Sequence, residues 1–444
     1  MAVRTQIKDS IGPRPAPRSQ VGVIGWLRQN MFSNWYNAIL TVVALWIIYL
    51  VVASLWEWGI TNAVWHAQNR RECFTINAEG ACWAGVIAWL PNIFYGRYPR
   101  PELWRIDLAG VLLVLWLAPV WMPRVKAKIL IAFSGVFLYP FLAGYLFQGG
   151  EKGLFMQVMV SAAITCLIVN TAGVAYVMAT GRSLADGVVG LIGLGDGSEK
   201  AQRNARLALL VVIFAVVSWL QSGWEPISVP WNKWGGLFLT LVISGIGITF
   251  ALPGGIVLAL GRRSRLPVIR VFSIVFIEVF RSVPLITILF MATTMFPLFL
   301  PEGFVLNKLV QVIVAVCLFN ACYMAELVRA GLQAIPKGQY EAAQAVGLGY
   351  WQGMGLIVMP QALKFMIPNI VGNFIGLLKD TTLVSIIGLF DILNMLRAIS
   401  RDVPWIGLHK EPIFFGAVVF FVLCFAMSKY SRHLETKLGG GLER

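Results

Sequence analysis

Charge is scarce in this chain of 444 residues: 13% are Asp, Glu, Lys or Arg, against 58% hydrophobic. A soluble domain carries roughly 25% charged residues, so the shortage excludes an ordinary water-soluble fold and implies an integral membrane protein. Histidine is scarcer still, and the 3 present, His66, His409 and His433, lie far apart in polar segments. No H-E-x-x-H and no G-x-S-x-G occurs, which leaves no visible catalytic group for an intramembrane hydrolase. No G-x-x-x-x-G-K-[ST] phosphate loop occurs either. The nearest stretch, G-L-G-D-G-S-E-K from Gly193 to Lys200, lacks the lysine after its last glycine and follows no strand, so it reads as a flexible cytoplasmic linker. The chain is therefore not expected to be an enzyme. Its net charge of +15 would suit a nucleic acid, but most basic residues fall in short gaps between apolar runs, as the positive-inside bias arranges them.

What the chain has in abundance is apolar length. A helix needs about 20 apolar residues to cross a bilayer, and ten candidate spans are found: 37–56, 106–122, 129–148, 157–180, 206–222, 236–260, 268–292, 307–328, 361–390 and 412–428. The fifth is short enough to pass for an interfacial piece. With all ten crossing and the N-terminus inside, the inner segments hold roughly twice the lysine and arginine of the outer ones. Dropping one span would turn the Arg262, Arg263, Arg265 and Arg270 cluster outward. The expected fold is an all-α integral membrane protein of about ten transmembrane helices with both termini cytoplasmic. Residues 1–36, polar and basic, are expected as a cytoplasmic tail and not as a cleavable leader.

Cysteine is sparse at 6 residues. Cys166, Cys317, Cys322 and Cys424 sit in apolar spans and read as small hydrophobes. Cys73 and Cys82 share the outer loop 57–105; an oxidising exterior allows a disulfide there, and two free thiols are the other reading. Their spacing does not fit a zinc site. The same loop carries C-W-A-G-V-I-A-W-L-P-N-I-F-Y-G, which reads as an interfacial helix or, alternatively, as a surface for an external partner.

The most informative stretch runs from Ile335 to Pro360, I-P-K-G-Q-Y-E-A-A-Q-A-V-G-L-G-Y-W-Q-G-M-G-L-I-V-M-P, a polar island between apolar runs. Glu341, Ala342 and Ala343 open a short helical run, Gly347 and Gly349 interrupt it, and Pro360 follows. Two short helices with a bend between them are expected. Before it stands A-E-L-V-R-A-G (Ala325 to Gly331), and after it L-L-K-D-T-T-L-V-S-I-I-G (Leu377 to Gly388). G-G-L-F-L-T-L-V-I-S (Gly235 to Ser244) and F-I-E-V-F-R-S-V-P-L (Phe276 to Leu285) lie upstream.

Together these resemble the permease subunits of ABC importers for polar amino acids, in particular the longer subunit of heteromeric general or glutamate/glutamine/aspartate/asparagine permeases. The resemblance covers roughly the C-terminal half. It implies a five-helix type I importer core over 233–444. Residues 37–232 would form an additional membrane region, most simply a scaffold. In the family the E-A-A loop is a cytoplasmic coupling helix seated on the ATP-hydrolysing subunit. That role carries over to Glu341, Ala342, Ala343, Gly347, Gly349, Tyr350 and Pro360. Implied partners are a second permease chain forming a heterodimer, an ABC ATPase dimer and a periplasmic amino-acid-binding protein, in a bacterial inner membrane. No cofactor is expected on this chain; ATP and Mg belong to the partner ATPase.

Ionisable residues within spans complete the reading, because a charge at the bilayer centre costs about 2.5–3.5 kcal/mol on insertion scales. Glu278 and Arg281 share a helical face, as a mutual ion pair or as contacts for a zwitterion. Glu326 and Arg329 read as structural or gate-lining. In 361–390, Pro368, Gly372 and Gly376 suggest a discontinuous helix, with Lys379 and Asp380 receiving the carboxylate and ammonium of an amino acid. Thr381, Thr382 and Asn373 would add hydrogen bonds; the alternative is a brace at the permease–permease interface. Two rival functions are weighed: an ion-coupled secondary transporter, disfavoured because the N-terminal half has no counterpart of the E-A-A stretch, and a non-transporting membrane scaffold.

The topology makes one prediction. A membrane-impermeant thiol reagent applied to intact cells after reduction is expected to label Cys73 and Cys82. Labelling only after the membrane is opened would overturn the orientation.

Overall fold

The computed structural model describes residues 22–122, 125, 128–180, 199–303 and 305–439. The Gly193–Ser198 part of the expected linker and residues 1–21 of the expected tail lie outside the described residues. Among the described residues there are helices and isolated bridges but no strands. The chain divides into two compact units, Met1–Ile87 and Ala88–Arg444.

The first unit holds α1 (Gly22–Asn30), α2 (Trp35–Trp56), which runs on as a π turn to Thr61, and α3 (Arg70–Ile76). No residue of α2 is buried, as befits an apolar helix whose solvent is lipid. Beyond it the loop is folded back and pinned. Cys73 and Cys82 form a disulfide with Cα atoms 5.8 Å apart, and the Trp83 indole N–H donates to Gly59 O at 2.8 Å.

The second unit begins within α4 (Trp83–Tyr95). It continues through α5 (Leu103–Trp121), α6 (Lys128–Gln148), α7 (Leu154–Thr180) and α8 (Glu199–Ser222). Next come α9 (Gly236–Arg262), α10 (Pro267–Ser282), α11 (Leu285–Phe290) and α12 (Lys308–Ala334). The short helices α13 (Lys337–Ala345) and α14 (Tyr350–Gly353) precede α15 (Met359–Asp380). The chain closes with α16 (Ile392–Ile399) and α17 (Lys410–Gly439).

Among the described residues, eight helices are long and apolar enough to cross a bilayer, and the bent pair Pro267–Ser282 and Leu285–Phe299 would make a ninth; Leu207–Ser222 in α8, the short fifth candidate, is apolar but shorter. The expected single span 268–292 is corrected. Val283 is extended ahead of Pro284, as sterics before proline demand, and the chain bends by 106° between the two arms. The expected interruption at Pro368, Gly372 and Gly376 is corrected too: α15 passes through all three and ends only at Asp380.

Lipid gives helices no hydrophobic reason to associate, so close backbone approach must supply contact. The α9–α12 seam does so through glycine. A Cβ on Gly254 would lie 2.9 Å from Ala321 Cβ, one on Gly255 2.6 Å from Met324 Cβ, and one on Gly247 3.2 Å from Val316. Gly331 of α12 is pressed in the same way onto Ala362 O of α15, at 2.8 Å.

A second glycine junction ties α5–α8 to this core. Gly96 (φ 67°) meets Gly235, where an added Cβ would sit 2.3 Å from the Gly235 Cα. Gly236 (φ 63°) lies against Ile93 O and donates its N–H to Phe390 O at 2.8 Å. Around it, Arg97 stacks on Phe390 at 4.0 Å and Trp89 donates to Asp402 Oδ2 at 2.9 Å. Arg105, fully buried, donates to Leu146 O and Ile227 O at 2.6 and 2.8 Å, which closes the α5, α6 and α8 ends together.

Just after this junction Asp391 caps α16, accepting from the Asn394 and Leu393 N–H groups at 3.0 and 3.2 Å. Burial pushes its carboxyl up to about 6 despite the two amide donors. An acid whose ionised form the fold disfavours binds its proton more tightly when folded. Its contribution to stability therefore grows as pH falls from about 6 toward 4 and is lost as pH rises through about 6. Asn is an equally good cap, so Asp391→Asn is expected to keep α16 while flattening the pH dependence of the apparent Tm between about 4 and 6. An unaltered pH profile would contradict the assignment.

Candidate functional site

The polar island folds as two short helices with a bend between them. α13 ends in a Schellman motif: Leu348 N–H bonds Ala343 O at 3.1 Å and Gly347 N–H bonds Gln344 O at 2.9 Å. That closure needs a left-handed residue, and Gly347 supplies it at φ 82°. No atom lies within 4 Å of the position a Gly347 Cβ would take. The demand is therefore one of backbone conformation, which a side-chain-bearing residue meets only at about 1–2 kcal/mol. Gly349 then opens α14, with its N–H bonded to Gln352 Oε1 at 3.3 Å.

The two alanines of E-A-A part company. Ala342 is exposed, whereas Ala343 is buried against Gly353, whose own Cβ would come within 3.3 Å of it. Small residues at both positions let α13 lie on α14. Glu341 is exposed and has no ion pair among the described residues. Pro360 occupies the first turn of α15, where a missing N–H is tolerated, directly after a π turn over Met354–Val358. Tyr350 is 59% exposed, and Val346, Trp351 and Leu356 beside it are 78, 71 and 72% exposed. These apolar side chains were not singled out from sequence. Their signal was present, as large hydrophobics inside an otherwise polar break.

Three contacts fix this loop to the bundle. Tyr340 Oη donates to Leu332 O of α12 at 3.0 Å. Arg263, just past α9, donates to Tyr340 Oη at 3.2 Å and lies over its ring at 5.6 Å. Gln361 of α15 donates to Gln339 Oε1 at 3.0 Å.

Next to Arg263 the charged residues of α9, α10 and α12 converge. The expected Glu278–Arg281 pair is corrected: neither residue bonds the other. Glu278 pairs with Arg262 at 2.9 Å, and Arg281 with Glu326 at 3.8 Å. Arg262 also reaches Glu326 at 3.6 Å, and Arg329 Nε donates to Glu326 Oε1 at 2.7 Å. Two acids thus face three arginines. Arg281 lies over Tyr323 at 5.6 Å and keeps a buried Nε without a hydrogen-bond partner.

At the far end of α15, Lys379 is exposed and Asp380 half-buried, with no ion pair between them. Thr381 and Thr382 donate their hydroxyls back to Leu378 O and Lys379 O at 2.7 and 2.8 Å, tightening the chain into a 3₁₀ turn. Those two hydroxyls therefore keep only acceptor capacity for a ligand. At about 100° per residue, Asn369, Gly372, Asn373, Gly376, Lys379 and Asp380 fall within roughly a third of the α15 circumference. No atom lies within 4 Å of a Cβ on Gly372 or Gly376, and Asn373 Oδ1 is buried without a hydrogen-bond partner. Asn369 is the member of this polar stripe that the motif-based reading passed over.

Comparison with known proteins gives the family. Residues 251–440 match the family described as binding-protein-dependent transport system inner membrane component. The inner membrane amino-acid ABC transporter permease protein YhdY of Escherichia coli K12 is 35% identical over 437 residues, 98% of this chain and 99% of that protein. The glutamate/glutamine/aspartate/asparagine transport system permease protein BztC of Rhodobacter capsulatus is 40% identical over 98% of each chain. The shorter glutamate/aspartate import permease protein GltK of Escherichia coli O6:H1 is 34% identical, spanning 46% of this chain and 91% of its own. The chain belongs to the amino-acid ABC transporter permeases, and it is a multi-span membrane protein of all-α type.

The loop geometry makes a prediction with its own control. Gly347→Val is expected to lower transport at least tenfold while the chain still inserts and assembles, because a β-branched residue cannot hold φ 82° without strain. Gly338→Ala, at an exposed helical position with no atom within 4 Å, is expected to change nothing. Wild-type uptake by Gly347→Val would remove the coupling assignment.

Proposed function

We propose that this chain is one of two permease subunits of an ATP-driven importer of polar L-amino acids. An external binding protein delivers the substrate and a separate ABC ATPase pair supplies the energy. The observation that carries the proposal is the loop 335–360. It exposes Glu341, Val346, Tyr350, Trp351 and Leu356 and is tethered to α12, α15 and the end of α9 through Tyr340 and Gln339. A knob held in this way transmits displacement. A partner that closes on ATP, with Mg as its metal, moves α13, and Tyr340 passes the movement to Arg263 and the ionic cluster behind it.

Residues 233–444 are the working core in this reading and 37–232 its scaffold, with both termini and the loop 335–360 in the cytoplasm of a bacterial cell and the membrane the inner one. The polar stripe of α15 lines the substrate path. Lys379 meets a carboxylate, Asp380 an ammonium, and Asn373, with its unpartnered oxygen, a further polar group. Thr381 and Thr382 accept hydrogen bonds there, while Glu278 and Arg281 close the path at its inner end. The chain itself holds no nucleotide.

The test is mechanical as well as biochemical. The tagged chain is expected to co-purify with an ABC ATPase. In proteoliposomes Tyr340→Phe keeps the ring and loses both hydroxyl bonds. Substrate moved per ATP hydrolysed is expected to fall about fivefold, the factor equivalent to one ordinary hydrogen bond. Transport by this chain without any ATPase would refute the proposal.

A further inference from the structure

At the end of α15–α17 away from the coupling loop, a cavity of about 590 Å³ is lined by Arg397, Ser400, Arg401, His409 and Ile413. Its floor is rigid. α16 is capped by Asp391 and buries Ile392, Met395, Leu396 and Ile399, and Leu396 packs so closely on Gly416 of α17 that a Cβ there would approach it to 2.4 Å. Its rim is cationic, with Arg397 in the field of Asp391 and Arg401 and His409 beyond it. Arg397 and Arg401 are four residues apart, a spacing at which like charges repel. Neither arginine side chain nor His409 has an ion pair or hydrogen bond among the described residues.

The acids of the same segment answer them only in part, through Asp391 facing Arg397. Asp391 is spent on the α16 cap, Asp402 accepts from Trp89, and Glu411 is buried and not without a partner. The dipole of α16 accounts for one cation at its C-terminus, not for three groups around one hollow. On the proposed orientation this is the outer face, where lysine and arginine are ordinarily thinned out.

We infer that this cavity receives the carboxylate of an acidic amino acid, as the binding protein releases it, before it enters the permease. Arg397 and Arg401 form a two-pronged donor pair, His409 contributes a third donor, and Ile413 covers the aliphatic stem. Paired guanidinium groups suit a carboxylate through bidentate hydrogen bonds. A net anion is drawn to them more strongly than a zwitterion of the same size. The inference rests on the importer reading for its meaning, but its test does not.

The experiment uses the assembled complex in lipid nanodiscs, footprinted with diethyl pyrocarbonate and read by peptide mass spectrometry. His66 and His433 serve as internal references. L-glutamate is expected to slow modification of His409 severalfold and L-glutamine to do so much less, with no binding protein present. Arg397→Gln/Arg401→Gln should remove that protection. In proteoliposomes the same double variant is expected to raise the apparent KM for L-glutamate about tenfold, the scale of one lost charge-assisted hydrogen bond, while L-glutamine kinetics and ATP hydrolysis stay unchanged. Three results would overturn the inference: no protection of His409, protection that survives in the double variant, or an equal KM rise for both substrates, which would mark the patch as a docking face for a protein. A wild-type complex that protects His409 yet imports neither amino acid would instead refute the importer reading and leave the anion site standing.

Discussion

The close approach of α9 to α12 is the constraint on which the rest depends. In lipid, two apolar helices gain little by meeting unless their backbones come near enough for dense packing. Gly247, Gly254 and Gly255 provide that nearness against Val316, Ala321 and Met324. Once the seam is closed, Arg262 at the end of α9 falls beside Glu326 of α12, and α10 is brought round so that Glu278 reaches Arg262. The ionic cluster is thus a consequence of the seam. It lies next to Arg263, which contacts Tyr340 of the loop 335–360.

A second consequence concerns α5–α8. These helices meet the core through close backbone approach at Gly96, Gly235 and Gly236 and through the aromatic cluster of Tyr98, Phe147, Trp234 and Phe238 beside it. Backbone contact of that kind tolerates very little sliding. It suits a region that stiffens its neighbour better than one that opens and closes.

Much of this was legible in the residues because it is local. The E-A-A island announced two helices and a bend, since Gly347 and Gly349 break an otherwise helical run and a Schellman closure uses only neighbours in sequence. Glu326 and Arg329, read as structural or gate-lining, bond each other. Glu278 and Arg281 do not, although their spacing is the same, because Arg262 and Glu326 arrive from other helices as competitors and no periodicity records them. The same limit explains α10. Its apolar run looked continuous, but the Val283–Pro284 step turns the chain by far more than hydropathy can register. Within α15 the error ran the other way. Pro368, Gly372 and Gly376 read as interruptions, and packing on α12 and α17 carries the helix straight through them.

The capped, glycine-locked end of the bundle and the lightly tethered loop make α15 a lever. Its C-terminal end is held by the Gly236–Phe390 bond and the Asp391 cap that follow it in the chain, while its N-terminal end meets the loop 335–360 through the Gln361–Gln339 bond. With 22 residues, α15 is about 33 Å long at 1.5 Å per residue. A tilt of about 10° around the fixed end sweeps the N-terminal end through about 6 Å, roughly one helical turn. A modest rotation at one side of the membrane therefore becomes a full helix-turn of travel at the other, and the polar stripe of Asn369, Asn373 and Asp380 is carried with it.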